Sequence, residues 1–386
     1  MTGPFPLPAP RGGSPDLLVI AGEHSGDQHA ARLVAGLLRR RPGLRIAALG
    51  GPRLAAAGAQ LLMDRTGVSV VGLGEVVRNL SFFRALIAEV VRWVGVYRPA
   101  AVCFVDNSGV NVRIAKELRL RGFSRKGGGT VKSLYYISPQ IWASRGERRF
   151  TMARDLDALA VIFPFEPSCY ADTALPVTFV GHPFLSPDYA SPVRYDPAGP
   201  VLLLPGSRPK AVGLIMPALL GGYREFARQA PGRKAVILYP SPAIRQQLEG
   251  MGLPPEVSLA PTSGTPVAAS AVLTSSGTMS MQCALAGIPG AIAYRTDPFT
   301  YLVARWIVRV EYLGIANILL EEPMYPEFIQ GAATPPALAA QLSACLNDPE
   351  RIARTKAQSA ALRAMLVNPA GVTEADWLMA NLAPDT

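Results

Sequence analysis

Cysteine is scarce in this chain: four among 386 residues, Cys103, Cys169, Cys283 and Cys345, widely separated and with no Cys-x-x-Cys pair. That spacing excludes a paired-cysteine zinc ribbon and argues against a disulfide framework, so a cytosolic protein is expected. Pro and Gly interrupt Met1 to Pro15, where a secretory signal would need an apolar run. Charged residues are also few, at 17% against 49% hydrophobic. Such a composition buries a large core and excludes wholesale disorder. The longest uncharged stretch, Val257 to Tyr294, exceeds a bilayer span, but Ser275-Ser276-Gly277-Thr278, Gln282 and Gly287-Ile288-Pro289-Gly290 break it with turn chemistry. It is not read as a transmembrane helix. No G-x-x-x-x-G-K-[S/T] loop is present, which argues against a P-loop ATPase.

The net charge of +10 is unevenly distributed. Residues 1–190 hold 23 Lys and Arg against 14 Asp and Glu, and residues 191–386 hold 15 against 14. A basic first half attracts anionic partners such as nucleic acid, phosphorylated lipid or an acidic membrane face. No nucleic-acid-binding signature accompanies the charge, so no nucleic-acid partner is expected.

A chain of this length favours two domains. Short apolar runs ending in glycine or small polar residues alternate with helical patterns, which marks parallel α/β structure. Strands are read at 16–21, 45–49, 101–105, 133–137, 158–163 and 177–180, then at 201–204, 234–239, 271–274 and 291–294. Prolines gather between Gly181 and Pro200 and place the linker there. The expected organisation is a Rossmann-like domain over 1–185, a second over 198–350 and a helical tail over 351–386. Two such halves facing a cleft bind ligands at the carboxyl ends of their strands. Dinucleotide oxidoreductases and two-domain glycosyltransferases both fit that outline. The first strand-to-helix turn lacks G-x-G-x-x-G, which removes the oxidoreductase.

The polar turns narrow the chemistry. Ala21-Gly22-Glu23-His24-Ser25-Gly26-Asp27 follows the first strand, with a helix expected from about His29. Its glycines let a ligand approach the backbone, where N–H groups favour anions or sugar hydroxyls, and Glu23, Ser25 and Asp27 are candidate contacts in the cleft, although Ser25 or Asp27 also suits a helix cap. Asp106, at the end of the third strand, is a candidate general base, with Asn111 nearby; capping of the following helix is the competing role for either. Pro205-Gly206-Ser207-Arg208 and Thr274-Ser275-Ser276-Gly277-Thr278 suit a diphosphate, with the Arg208 fork and backbone N–H groups as donors. His182, before a proline at the linker, is read as structural.

These segments also resemble a known family. Ala-Gly-Glu-x-Ser-Gly-Asp at 21–27, Gly50-Gly51-Pro52, Val71-Gly72-Leu73-Gly74-Glu75-Val76 and Tyr136-Ile137-Ser138-Pro139-Gln140-Ile141-Trp142-Ala143 resemble lipid-A-disaccharide synthases. So do Phe163-Pro164-Phe165-Glu166, Val180-Gly181-His182-Pro183, Leu204-Pro205-Gly206-Ser207-Arg208, Ser276-Gly277-Thr278, Ala293-Tyr294-Arg295 and Asn317-Ile318-Leu319, in family order. The resemblance implies an inverting, metal-independent GT-B glycosyltransferase without cofactors. It would join UDP-2,3-diacylglucosamine to 2,3-diacylglucosamine 1-phosphate, giving a β-1,6 disaccharide 1-phosphate and UDP. It implies Asp106 as base, and Gly206, Ser207, Arg208, Ser276, Gly277, Thr278, Gln282 and Asn317 around the UDP-sugar. It further implies a peripheral protein on the cytoplasmic face of the inner membrane, and a homodimer is a further expectation.

Four positions depart from the family pattern. Gly109 and Ala211 replace carboxylates, Gln282 stands where a carboxylate binds ribose hydroxyls, and Ser144 replaces a Trp. The departures keep open a related transferase with a different acylated or nucleotide-sugar substrate, and a binding protein that retains the fold with weakened catalysis. One more expectation concerns Val76 to Tyr97, where Phe82, Phe83, Leu86, Ile87, Val90 and Trp93 alternate at helical spacing with Arg78, Arg84, Arg92 and nearby Arg98. Such a basic amphipathic stretch is expected to dock on anionic lipid, against the plainer reading of a core-facing helix.

Overall fold

A computed structural model describes residues 5–65, 73–297, 301 and 310–383, with backbone alone for 73–80. The Val71-Gly72 start of one motif, and the side chains of Glu75, Val76 and Arg78, lie outside the described residues. The chain forms two compact units: Met1–Pro183 with Leu366–Thr386, and Phe184–Met365. The expected tail is therefore divided. Its first part stays with the second unit, and the chain from Leu366 onward rejoins the first.

The first unit runs β1 (Leu17–Ala21), α1 (Glu23–Arg40), β2 (Ile46–Gly50), α2 (Pro52–Ala56), β3 (Gln60–Asp64), α3 (Leu73–Tyr97), β4 (Ala101–Val105), α4 (Ser108–Leu120), β5 (Lys132–Tyr136), α5 (Arg148–Asp155), β6 (Ala158–Val161) and β7 (Val177–Phe179). Its seven strands are parallel in the order β3-β2-β1-β4-β5-β6-β7. β1, β2 and β4 are buried at every residue, which is why they read as continuous apolar runs rather than alternating ones. β3 was not among the expected strands; only Leu62 and Met63 of its five residues are buried.

The second unit runs β8 (Val193–Tyr195), β9 (Val201–Leu204), α6 (Pro209–Gln229), β10 (Ala235–Tyr239), α7 (Pro242–Glu249), β11 (Val257–Pro261), β12 (Val267–Ala269), β13 (Ala271–Thr274), α8 (Thr278–Leu285), β14 (Gly290–Tyr294), α9 (Ile315–Leu320), β15 (Glu327–Ile329), α10 (Pro335–Asn347) and α11 (Pro349–Leu366). Six strands form a parallel sheet in the order β11-β10-β9-β13-β14-β15, and β8 pairs with β12. The last residue of α11 belongs to the first unit, as does α12 (Glu374–Leu382), whose Ala375 packs on Gly36 of α1.

The expected lipid-docking stretch is mostly core. Leu86, Val90, Trp93 and Val94 of α3 are fully buried, and Phe82, Phe83 and Ile87 are partly buried against the same core. Trp93 donates its indole N–H to the Pro8 carbonyl at 2.9 Å and packs on Tyr97. Helical spacing turned this stripe inward, and consecutive Phe82 and Phe83 were accommodated by pairing edge to face. Among the described residues no helix is long and apolar enough to cross a membrane.

Candidate site residues at two topological switch points

In a parallel sheet, the loops leaving two adjacent strands diverge where the strand order reverses, and a crevice opens at their carboxyl ends. The first sheet reverses between β1 and β4. Gly22-Glu23 leaves β1 there, and Asp106-Asn107 leaves β4. The second sheet reverses between β9 and β13, where Pro205-Gly206-Ser207-Arg208 and Ser275-Ser276-Gly277 emerge.

At the first switch point α1 begins at Glu23, six residues earlier than expected, so the polar motif forms the helix's opening turns. Gly22 is its N-cap and supplies no side chain. A Cβ on Gly22 would lie 2.0 Å from Asn107 Nδ2, so glycine is required by the neighbouring loop. Glu23 is exposed and left-handed, with φ of 54°. Ser25 is half-buried. Asp27 caps a different helix from the one expected: its carboxylate accepts the backbone N–H groups of Gly51, Arg53 and Leu54 at the start of α2, at 2.7, 3.1 and 3.2 Å. Both oxygens are thus committed to the fold, and Asp27 leaves the list of candidate contacts.

Neither Asp106 nor Asn111 caps the helix after β4. The N-cap of α4 is Asn107, and no side chain caps it. Asp106 is half-buried, and its backbone N–H donates to the Tyr136 carbonyl at 3.0 Å. Burial raises its carboxyl above the ordinary Asp range; the Asn107 N–H pulls it back, and the Glu23 carboxylate pushes it further up. A carboxyl raised in this way is a better proton acceptor. Asn111 is fully buried, and its Nδ2 donates to the carbonyls of Ile20, Val105 and Asp106. Nδ2 thus ties the ends of β1 and β4 together, while Oδ1 is buried with no hydrogen-bond donor.

At the second switch point Gly206 has φ of 109°, a conformation glycine alone adopts without strain. The two loops meet here: the Ser275 N–H donates to the Leu204 carbonyl at 2.8 Å, and a Cβ on Gly206 would lie 3.3 Å from Ser275 Oγ. Arg208, the N-cap of α6, is exposed, as are Ser207, Gly277 and Thr278, and Ser276 is half-buried. No side chain caps α6 or α8, so both helices present backbone N–H groups and the positive end of the dipole at one edge of the sheet. That arrangement suits phosphate oxygens. Gln282, 8% exposed on α8, leaves its Oε1 buried with no hydrogen-bond donor. Ala211 packs on the core of this unit.

Asn317 is fully buried. Its Nδ2 donates to the Tyr325 carbonyl and to Glu327 Oε1, and its Oδ1 accepts from the Tyr325 N–H. Every polar atom of the amide has a partner within the fold, so Asn317 holds the α9 segment. Glu327, absent from the expected site, also accepts the N–H groups of Leu313 and Gly314. Glu166 likewise serves the backbone, accepting from Ile162 and Phe163 N–H groups, and burial raises its carboxyl to about 7. Among the described residues no group of three His, Cys, Asp or Glu side chains comes together as a metal site would.

The family model for lipid-A-disaccharide synthetase matches residues 17–376. Similar relatives include a lipid-A-disaccharide synthase of Geobacter metallireducens, 34% identical over 91% of this chain and 92% of its own length. Lipid-A-disaccharide synthase 1 of Legionella pneumophila is 32% identical over 87% and 89%. Among solved structures, the calicheamicin glycosyltransferase CalG4 aligns with a TM-score of 0.58 at 16% identity, covering 96% of this chain and all of its own. A UDP-N-acetylglucosamine 2-epimerase from Listeria monocytogenes aligns at 0.62 and 12% identity, covering 94% of each chain. At these identities the structural likenesses establish the fold, which glycosyltransferases and epimerases of the GT-B type share.

Proposed function

The chain belongs to the lipid-A-disaccharide synthase family of glycosyltransferases, and from that premise we propose how its residues divide the reaction. The donor is a UDP-2,3-diacylglucosamine and the acceptor 2,3-diacylglucosamine 1-phosphate. Asp106 takes the proton from the acceptor's 6-hydroxyl as that oxygen attacks the anomeric carbon. The bond between that carbon and the diphosphate oxygen breaks, and UDP leaves with its electron pair. Arg208, the Gly206-Ser207 backbone and the uncapped starts of α6 and α8 stabilise the leaving diphosphate. Thr278 and Ser276 add hydroxyl contacts. Gln282 Oε1, buried without a donor, accepts from a donor-sugar or ribose hydroxyl.

The observation that carries the reading is the position of Asp106 at the reversal of the first sheet, with its carboxyl raised by burial and with no cap to serve. Association with an anionic membrane surface is supported by the basic first half and by the acylated substrates. On α3 the support reduces to exposed Arg84, because Arg92 is paired with Glu89 and the aromatic stripe is core. The direct test is incubation of the purified protein with both substrates in detergent, with the disaccharide 1-phosphate and UDP read by mass spectrometry. Release of UDP without disaccharide, or no reaction with either substrate in excess, would overturn the assignment.

A further inference from the structure

Asp106 and Asn107 stand consecutively in left-handed backbone conformation, with φ of 51° and 48°. For residues with a Cβ this costs free energy, and it persists only where surrounding groups over-determine it. Two buried side chains do so, and both act on one atom. Tyr135 of β5 is fully buried and donates its hydroxyl to the Asp106 carbonyl oxygen at 2.6 Å. Asn111 donates to the same oxygen at 2.8 Å. β4 and β5 pair with Phe104 opposite Tyr135, and the two rings lie 6.0 Å apart, so the Tyr135 ring is fixed by core packing. Its hydroxyl is the one polar atom on an otherwise apolar side chain. A buried hydroxyl requires a partner, and this one is spent on the residue read as the base.

We propose that Tyr135 is a positioning residue for the transfer reaction: its hydroxyl locks the left-handed Asp106-Asn107 pair and so fixes where the Asp106 carboxylate stands. This rests on the reading of Asp106 as general base. Tyr135 itself touches neither substrate. Because a displacement of about 1 Å in a reacting group costs up to roughly 100-fold in rate, releasing one of the two donors is expected to lower kcat by roughly 10- to 100-fold.

A double-mutant cycle separates this role from a purely structural one. Tyr135→Phe keeps the ring and removes the donor; it is compared with Asp106→Asn and with the double variant, each checked by circular dichroism and Tm. Tyr135→Phe is expected to lose kcat with KM for both substrates within about twofold, and to leave the residual rate of Asp106→Asn unchanged. Asn111→Ala, which removes the other donor, is expected to lose kcat in the same sense and supplies the answer should Tyr135→Phe fold poorly. Parental kcat in folded Tyr135→Phe, with Asp106→Asn inactive, would overturn the positioning role and leave the base standing. A further drop of the same factor in the Asp106→Asn background would also overturn it, because the effect would not run through Asp106. Parental turnover in Asp106→Asn would instead remove the base itself.

Discussion

The two switch points solve one geometric problem with different residues. Around the first, left-handed backbone falls on residues with side chains: Glu23, Asp106, Asn107 and, after β5, Ile137. At the second, the left-handed position between the diverging loops is a glycine, Gly206. The first edge is half-buried and braced by side chains that donate to main-chain carbonyls; the second exposes Ser207, Arg208, Gly277 and Thr278. Braced strain suits a group that must stand in one place during bond making. An open glycine turn above uncapped helices suits a polyanion, which needs donors converging from several directions. On the proposed reading, the same fold holds chemistry at one sheet and binding at the other.

The largest effect expected from breaking this division is at Asp106. Asp106→Asn keeps shape and removes the base, so turnover should fall by about 10²–10⁴ with UDP affinity and Tm unchanged. The pH dependence gives a second check. The base acts ionised, and burial raises its carboxyl, so the acid limb of kcat should lie above the ordinary Asp range, with activity lost as pH falls through it. Turnover that stays flat down through that range would contradict the assignment.

Next in size is Arg208. Hydrogen bonds to charged groups contribute about 1.5–3 kcal/mol, so Arg208→Ala should weaken UDP binding by roughly 10- to 100-fold. Arg208→Lys, which keeps charge and loses the bidentate fork, should fall between. Calorimetry with UDP reads this directly, and unchanged affinity in both variants would move the diphosphate elsewhere.

Much of this was legible in sequence, for reasons that differ by residue. Buried parallel strands such as Leu17–Ala21 and Val201–Leu204 announce themselves because every side chain on both faces is apolar. Half-exposed β3 and the three-residue β15 carry too little pattern to be read that way. The polar motifs marked the loops that emerge at the two switch points but not which of their polar atoms the fold itself takes up. Asp27, Asn111 and Asn317 look like ligand-binding residues, yet the Asp27 carboxylate is taken up by backbone N–H groups 24 to 27 residues away, the Asn111 Nδ2 by carbonyls 5, 6 and 91 residues away, and the Asn317 amide by Tyr325 and Glu327, 8 and 10 residues away. Tyr135 had no signal, since a tyrosine in a buried strand reads as packing.

Glycine substitutions sharpen the contrast at smaller amplitude. Gly22 has ordinary extended backbone, φ of −122°, and is needed only for space against Asn107. Gly22→Ala should cost about 1–3 kcal/mol by overpacking and should lower kcat, because the displaced neighbour is Asn107. Gly206 is needed for its backbone conformation. Gly206→Ala should cost about 1–2 kcal/mol and should weaken UDP binding while leaving the acid limb of kcat in place. If Gly22→Ala altered UDP affinity, or Gly206→Ala moved the acid limb, the division of labour would fail.

The smallest expected effect lies within the first switch point. Glu23 is exposed at the start of α1, where a carboxylate is favoured by the helix dipole, and its charge raises the Asp106 carboxyl. Glu23→Gln removes that charge and keeps the side chain's length. Asp106 should then ionise at lower pH, so the acid limb of kcat should shift downward, and the plateau rate should change little if Glu23 acts only through charge. Because Glu23 is exposed to solvent, the shift should be larger in low salt than in high salt. A limb that stays in place at low salt would show that Glu23 does not face Asp106 electrostatically. A lost plateau with an unmoved limb would instead assign Glu23 to the acceptor, as a contact made by its side chain.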